Sequence, residues 1–332
     1  MQTDYDVIII GAGPAGASCA KHLVENGLKT LVVEKRKLPR YKCCGGILID
    51  RSVDFINRNF GIIPENIILS PKYIKLKVSS SGYSFIDYDK NEYLSIKRDL
   101  LDYWLINESR VEVNENSFFL SFKEENNIIK IKYLKDDKEF ELSCKYLIGA
   151  DGGLGKTRRL IDNIDIKNYA CYYKQYVCDG YIDISENYYY YITGKKYTDL
   201  FACFCKKDNL IYFGTTQFIK NININMIKNI ENKLKEKFGF EIKEIIRKEI
   251  CIIDTNLIKS RFNFGRNNVL LVGENSGFIS RMGEGISSAL ISGKIGAISI
   301  IESIKTGNKA IDYYLKLIEE EKNQISNLLN IN

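Results

Sequence analysis

Gly11-Ala12-Gly13-Pro14-Ala15-Gly16 is a G-x-G-x-x-G hexapeptide, and Glu34 stands eighteen residues beyond Gly16. Glycine in the first position permits a tight turn. In the second it lets a pyrophosphate approach the backbone with no Cβ in the way, and in the third it lets a helix lie close against a strand. A carboxylate at position 34 can accept hydrogen bonds from both hydroxyls of an adenosine ribose, and it repels a 2′-phosphate. Other groups able to do chemistry are sparse. Cys44 reads equally as a redox-active or proton-donating thiol and as a small buried cysteine. His22, the only histidine, sits one turn past the glycine loop and reads as structural or exposed rather than catalytic. Cys203 and Cys205 share one strand face. With Cys43 and Cys44 they would reach a zinc-site count, but adjacent cysteines and the lack of C-x-x-C argue against a metal.

The elements that must position these groups are visible around them. Asp6-Val7-Ile8-Ile9-Ile10 is a short apolar β-type run that feeds the glycine loop directly. The helix opened by the loop runs through Ala20, Leu23 and Val24 and stops at Asn26-Gly27, a C-terminal signal. Thr30-Leu31-Val32-Val33 is the second strand, and Glu34 ends it. Free N–H groups and the positive end of the dipole then face an anion at the helix start. Strand, loop, helix, strand and acid in this order define a dinucleotide site, which a lone glycine hexapeptide would not.

With 332 residues and 45% apolar content the chain can bury a core of two lobes or one large domain. The formal charge of +6 is too mild and too dispersed to indicate nucleic acid. The nine cysteines are odd in number and irregularly placed. The start of the chain lacks the pattern of a signal peptide, so a reducing cytoplasm is the expectation. No run reaches the roughly 18 apolar residues of a membrane span, the nearest being Ile286 to Ile301, which carries Lys294.

Further along, Lys35 to Lys42 is a basic run, read as a solvated loop in preference to an anion-binding one. Cys43-Cys44-Gly45-Gly46-Ile47-Leu48 follows, and its adjacent glycines indicate unusual backbone geometry or close approach to another body. β alternation runs from Lys72 to Ile96, and a helix restarts at Arg98. Ile128 to Leu134 and Glu139 to Leu142 read as a hairpin around Asp136-Asp137. Tyr146 to Gly149 then reads as a further strand, ending in Ala150-Asp151-Gly152-Gly153. From Tyr169 to Gln217 the chain is rich in β-type runs and aromatics, and Tyr188 to Tyr191 reads as a half-buried strand rather than a ligand box. A helix is predicted over Ile224 to Phe238. Asn268 to Gly273 is another buried strand ending in glycine and an acid, Glu274. The helix after Gly285-Ile286 carries small residues at Ala289, Ser292, Gly293, Gly296 and Ala297. Each glycine lowers helix stability by about 1 kcal/mol relative to alanine, so this face should lie unusually close to a neighbour. One amphipathic helix is expected over Lys309 to Leu329.

Three strand-to-glycine elements, at Gly11, at Gly149 to Gly153 and at Gly273-Glu274, resemble the nucleotide-binding lobe of FAD-dependent enzymes with the p-hydroxybenzoate hydroxylase-like fold. Cys44-Gly45-Gly46, Arg98 at a helix start, Gly149-Ala150-Asp151-Gly152 and Gly273 to Phe278 resemble the geranylgeranyl reductase family. Within it, Cys44 to Leu48, Arg98 to Trp104, Gly277 to Ser280 and Glu284 to Ser287 look most like the bacterial CbrA-type oxidoreductases. The fold implied is α/β, a Rossmann-like FAD-binding lobe with an inserted, mainly β substrate lobe and C-terminal helices. Its expected bounds are 1–70, 97–168 and 255–305 for the FAD lobe, 71–96 and 169–254 for the substrate lobe, and 306–332 for the last helix.

For the site, the resemblance implies that Ala15 and Glu34 hold the ADP part. Cys44, Gly45, Gly46 and Leu48 would lie along the flavin, Arg98 would contact its phosphate or ribityl side, Glu274 would meet the ribityl chain, and Gly285 with Ile286 would approach the isoalloxazine. Gly11, Gly13, Pro14, Gly16, Lys35, Leu120, Asp151, Gly152 and Gly273 complete the expected cofactor set, with Cys44 as the catalytic candidate. Two departures bear on substrate. Glu274 stands where the family commonly has Asp. The family's Tyr-x-Trp-x-Phe-Pro segment has no clean counterpart, and Cys203-Phe204-Cys205-Lys206-Lys207 with Tyr212-Phe213-Gly214 occupies its place.

The activity implied is hydride transfer from flavin to a C=C bond of an apolar, isoprenoid-like small molecule or lipid. NAD(P)H or reduced ferredoxin or flavodoxin would donate electrons, since only one dinucleotide fingerprint is present. The expected protein is a monomer able to touch a membrane surface peripherally and to meet a redox partner transiently. An FAD-dependent monooxygenase and a non-catalytic flavin redox sensor are the alternatives. The Trp-x-Trp-x-Ile-Pro motif of flavin halogenases is absent, and Trp104 is the only tryptophan.

Overall fold

The structure is a computed structural model and describes residues 2–162, 170–221, 223, 225–254, 262–280 and 282–329. Tyr169 and Ile224, where a strand and a helix were expected to begin, lie outside the described residues. So do 163–168 and 255–261 of the expected FAD lobe.

Tyr5–Ile10 is flanked by two parallel partners, Thr30–Val33 on one side and the second half of Lys138–Gly149 on the other. Val7, Ile8 and Ile9 are fully buried, as an apolar run covered on both faces must be. Val269–Leu271 pairs parallel outside Lys138–Gly149, and Glu112–Asn114 pairs parallel outside Thr30–Val33. Phe118–Glu125 and Ile128–Lys135 add an antiparallel extension, completing an eight-stranded sheet with Gly265–Arg266 at its edge.

The hairpin expected at Asp136-Asp137 is present, both residues having positive φ. Its second strand does not stop at Leu142. Lys138–Gly149 is one strand of 12 residues, antiparallel to Ile128–Lys135 over its first half and parallel to Tyr5–Ile10 over its second. Cys144 is the switch point, paired with both Ile129 and Tyr5. Two runs read as separate are therefore continuous, because the strand changes partner and not direction.

A second sheet has nine strands. Glu241–Asp254, Ala170–Tyr181, Leu210–Phe218, Ala202–Lys207, Tyr188–Ile192, Ile68–Ser79, Tyr93–Ile96 and Ile47–Leu48 follow one another across it, with Ile86–Asp87 beside Ile68–Ser79. Tyr188–Ile192 is a strand, as expected, but more buried than expected, Tyr189, Tyr190 and Tyr191 all being buried. Tyr190 stacks on Phe204 at 4.7 Å on one face. Tyr189 and Tyr191 point to the other, among Cys43, Tyr173, Cys203 and Cys205.

Ile286–Thr306 lies against Pro14–Glu25. A Cβ at Gly293 would stand 2.2 Å from the Ala15 carbonyl oxygen, and Ser18 Oγ donates to the Leu290 carbonyl at 2.6 Å. The small residues of this helix thus meet the first turn of the glycine-loop helix. By length and composition Ile286–Thr306 could cross a membrane, contrary to the reading of its sequence, since its serines and glycines lower the mean hydropathy less than charges would. Two-thirds of its apolar window (67%) is buried inside the protein. The C-terminal segment is two helices, Ala310–Leu317 and Glu319–Leu329, rather than one. The break at Ile318 accompanies a pairing of Glu321 with Arg51.

Alanine is favoured over glycine in a helix by about 1 kcal/mol, whereas overpacking against immobile backbone is unfavourable by roughly 1–3 kcal/mol. Gly293→Ala should therefore lower the midpoint of chemical denaturation, and Gly293→Val should lower it further. A stabilised alanine variant would show that the helices do not approach this closely.

Candidate functional site: a buried charge chain beside a phosphate cradle

The glycine loop sits where three strand ends meet. Gly11 N–H donates to the Val33 carbonyl and Ala150 N–H to the Ile10 carbonyl, both at 2.9 Å. Val272 N–H donates to the Gly149 carbonyl at 3.0 Å. Gly11 has φ +107°, and a Cβ there would lie 2.5 Å from the Ala150 carbonyl oxygen. At Gly16 a Cβ would lie 2.0 Å from the Gly11 carbonyl oxygen. Gly13 differs from both. Its nearest neighbour would be the Arg40 guanidinium at 3.7 Å, so the space before the helix is open. Gly13 is the N-cap, Pro14 opens the helix, and the first turn carries no acid. An anion is the group this end accommodates.

Glu34 is 3% exposed. Its carboxylate accepts the Ala12 N–H at 3.0 Å and the Arg36 N–H at 3.1 Å, and Arg40 Nε lies 3.3 Å away. Arg40 also donates to Asp102 at 3.1 Å, Asp102 accepts from Arg98 Nε at 2.7 Å, and Arg98 approaches Cys44 Sγ at 3.5 Å. Glu34, Arg40, Asp102, Arg98 and Cys44 thus form one chain, buried at Glu34, Asp102 and Arg98 and half-buried at Arg40 and Cys44, from the nucleotide loop to the Cys44-Gly45-Gly46 loop. Burial alone would raise the Asp102 pKa, but Arg98 and Arg40 outweigh it and hold the carboxyl below the ordinary range.

Arg98 is therefore an interior residue and not a surface cap. Arg40 and Asp102 were missed by the sequence reading. Asp102 carried a signal, since it stands four residues after Arg98 on a helix. Arg40 lay in a basic run whose Lys35, Arg36 and Lys37 are indeed exposed, and nothing local separates it from them.

The second and third glycine turns are tied by side chains. Asp151 accepts from Thr157 N–H at 3.0 Å and from Asn275 Nδ2 at 2.7 Å, while burial raises its pKa. Gly152 has φ +80° with open space around it. Gly273 takes φ +64° and donates to Ser292 Oγ at 2.8 Å, and half-buried Glu274 follows on the same turn. Gly285 caps the helix that begins at Ile286. Glu284 beside it accepts from Ser287 N–H and Oγ, each at 2.9 Å.

Leu120 lies apart from these groups, at an irregularity between Phe119 and Ser121 where strand pairing shifts. That strand is linked to the site through Ser117 N–H, which donates to the Glu34 carbonyl at 2.9 Å. Leu48 is buried in the core. His22 is half-buried between the Ser18 carbonyl and Asn59, and burial lowers its pKa.

Gly46, at φ +64°, receives the Ile96 N–H on its carbonyl at 3.0 Å. Beneath this loop lies the inner face of the second sheet. Tyr189 donates to Cys203 Sγ at 3.0 Å, and Tyr173 contacts the same sulfur at 2.9 Å. Tyr173 donates to Gln175 at 2.8 Å, and Gln175 to Glu249 at 2.8 Å. Burial pushes the Cys203 thiol up to about 11, the two tyrosine hydroxyls working in the opposite sense.

An open cradle at Gly13, a helix start free of acids and a carboxylate held at its edge fit the ADP part of a dinucleotide. Residues 4–183 match the family described as FAD binding domain; this is more than half of the chain, which belongs to that family. It is a flavoprotein of the oxidoreductase and monooxygenase fold. Protein CbrA of Escherichia coli O9:H4 (strain HS) is 27% identical over 324 residues, covering 92% of this chain and 84% of its own. A geranylgeranyl bacteriochlorophyll reductase-like protein from Thermoplasma acidophilum superposes with a TM-score of 0.81 at 21% identity, over 98% of this chain and 85% of that one. Aklavinone-11 hydroxylase, solved with FAD and aklavinone, superposes with a TM-score of 0.69 at 14% identity, over 92% of this chain and 63% of its own. At such identities the two structures speak for the fold alone.

The glycine geometry separates ligand effects from folding effects. Gly13→Val should fold with near-parent stability yet lose FAD, whereas Gly16→Ala should lose stability as well. Flavin absorbance after gel filtration and a denaturation curve read the two. Retention of full FAD by the valine variant would move the phosphate site elsewhere.

Proposed function

We propose that this protein is an FAD-dependent reductase that delivers hydride to a C=C bond of an apolar, isoprenoid-like substrate. Electrons would come from NAD(P)H or from reduced ferredoxin or flavodoxin. The observation that carries this reading is the layer beneath the Cys44-Gly45-Gly46 loop. It consists of Ile74, Leu76, Tyr173, Tyr189, Tyr191, Phe201 and Cys203. The carboxylate at its edge, Glu249, is engaged by Gln175 and Arg247. Such a surface favours an uncharged apolar molecule and offers little to hold a charged one.

Bound FAD supplies two-electron hydride chemistry, while the chain provides position and dryness. In this reading the cradle at Gly13 and the carboxylate of Glu34 hold the ADP end. Arg98 and Arg40 set the loop carrying Cys44, and the aromatic layer excludes water from the reacting carbon. Similarity of fold to an FAD hydroxylase supports oxygen insertion as a second reading.

Anaerobic reduction followed by mixing distinguishes the two. The reduced flavin should be reoxidised by a polyprenyl alkene acceptor, with two hydrogens gained by the product. Reoxidation only by oxygen, with oxygen found in the product, would select the monooxygenase, and turnover with neither would leave a redox sensor.

Cys44 gives an independent test of the loop's place. Its half-buried thiol should alkylate much faster in apo than in FAD-loaded protein. Cys43 should react slowly in both, since its hydrogen bond to Cys251 and its burial hold that thiol well above its ordinary pKa. Equal labelling of Cys44 in both forms would remove it from the flavin site.

A further inference from the structure

Lys207 ends the strand Ala202–Lys207 and is 1% exposed. Its ammonium donates to the Gly45 carbonyl at 2.7 Å and the Gly46 carbonyl at 3.0 Å, and it lies 5.4 Å from the centre of the Tyr189 ring. Among the described residues it is in no ion pair. Asp208, next in the chain, is turned to the Ser70 N–H at 2.9 Å and to Lys97 at 3.8 Å. Cys203 and Cys205 share its strand face, and burial lowers its pKa.

A buried ammonium without a carboxylate is unfavourable, and two carbonyl dipoles with an aromatic face only partly replace its water. A methionine of similar length would fill the same space without that penalty. The charge is thus explained by something other than packing. Its two acceptors are the backbone of the very loop that carries Cys44, and that loop is tightly built. A Cβ at Gly45 would stand 2.7 Å from Tyr189 Oη, and one at Gly46 would stand 2.6 Å from the Ile96 carbonyl oxygen.

We propose that Lys207 is a positioning residue that pins the Cys44-Gly45-Gly46 loop through both glycine carbonyls and whose buried charge favours the reduced, anionic form of the bound flavin. The inference rests on that loop lying along the flavin, and not on which molecule accepts the hydride. Positive charge close to a flavin stabilises the anion left when the ring has taken up two electrons and one proton. In a dry interior the effect is large, because little water screens it.

FAD-loaded Lys207→Met, Lys207→Gln and Lys207→Arg should be compared with the parent by anaerobic titration of the bound flavin against redox dyes. The methionine variant should keep one FAD per chain and shift the equilibrium roughly tenfold toward oxidised flavin, about 30 mV for a two-electron couple. Glutamine, which retains donors but not charge, should shift it as far, and arginine should stay near the parent. In the apo protein, Cys44 should alkylate faster in the methionine variant, since the loop has lost two hydrogen bonds. An unchanged midpoint in the methionine or glutamine variant would overturn the electrostatic role. Unchanged alkylation in the apo methionine variant would overturn the pinning. Failure of alkene acceptors to reoxidise the flavin would count against the reductase reading and leave these measurements standing.

Discussion

Two carboxylates buried from water, Glu34 and Asp102, are held apart and together by one guanidinium, that of Arg40. A carboxylate taken out of water needs a partner of opposite charge. Arg98 completes the neutralisation at the far end, so the chain alternates in sign from the nucleotide loop to Cys44. Removal of any inner member would strand a charge, a change worth about 3–5 kcal/mol for a buried pair. The consequence is geometric. The segment from Lys35 to Gly46 has no strand or helix of its own, yet it is anchored at its middle by Arg40 and at its end by the Gly46 carbonyl. A loop that would otherwise wander becomes a fixed wall of the site.

The second constraint is distance between backbones. Gly293 against Ala15 brings the long C-terminal helix onto the first turn of the glycine-loop helix, and Gly273 brings the third glycine turn to the same place, where a Cβ would stand 3.0 Å from that of Ala15. Gly285 at the start of the long helix and Gly13 at the start of the short one are thereby set by one packing contact. Small residues here serve closeness, at the expense of intrinsic helix stability.

Reductase-like proteins and hydroxylases share this backbone plan, so the fold does not choose among chemistries. The inner face of the second sheet is where a choice can be made. Alternation along Tyr188–Ile192 divides its side chains between the Phe204 stack and the layer under the Cys44-Gly45-Gly46 loop. That layer combines apolar surface with Cys203, Tyr173 and Lys207, which are polar groups already committed to one another or to the loop.

The geometry of the glycine loop was legible in the sequence because its requirements are local. The turn at Gly11, the unobstructed backbone at Gly13, the close helix at Gly16 and the acid ending Thr30–Val33 all follow from backbone sterics and short-range periodicity, and the structure places them side by side. Other features depend on contacts remote in the chain. Arg40 meets Asp102 across 62 residues, and Lys207 meets Gly45 across 162. The sequence around Arg40 looks like a solvated run, Lys35 to Lys42, and nothing local to Lys207 separates it from its neighbour Lys206. Continuity of Lys138–Gly149 through its change of partner and the break at Ile318 belong to the same class. By itself the sequence determined the tight turn at Gly11, the open backbone at Gly13 and the acid that follows the second strand. Only the tertiary structure decided which charges leave water, because burial of a charge depends on partners that the fold alone brings within reach.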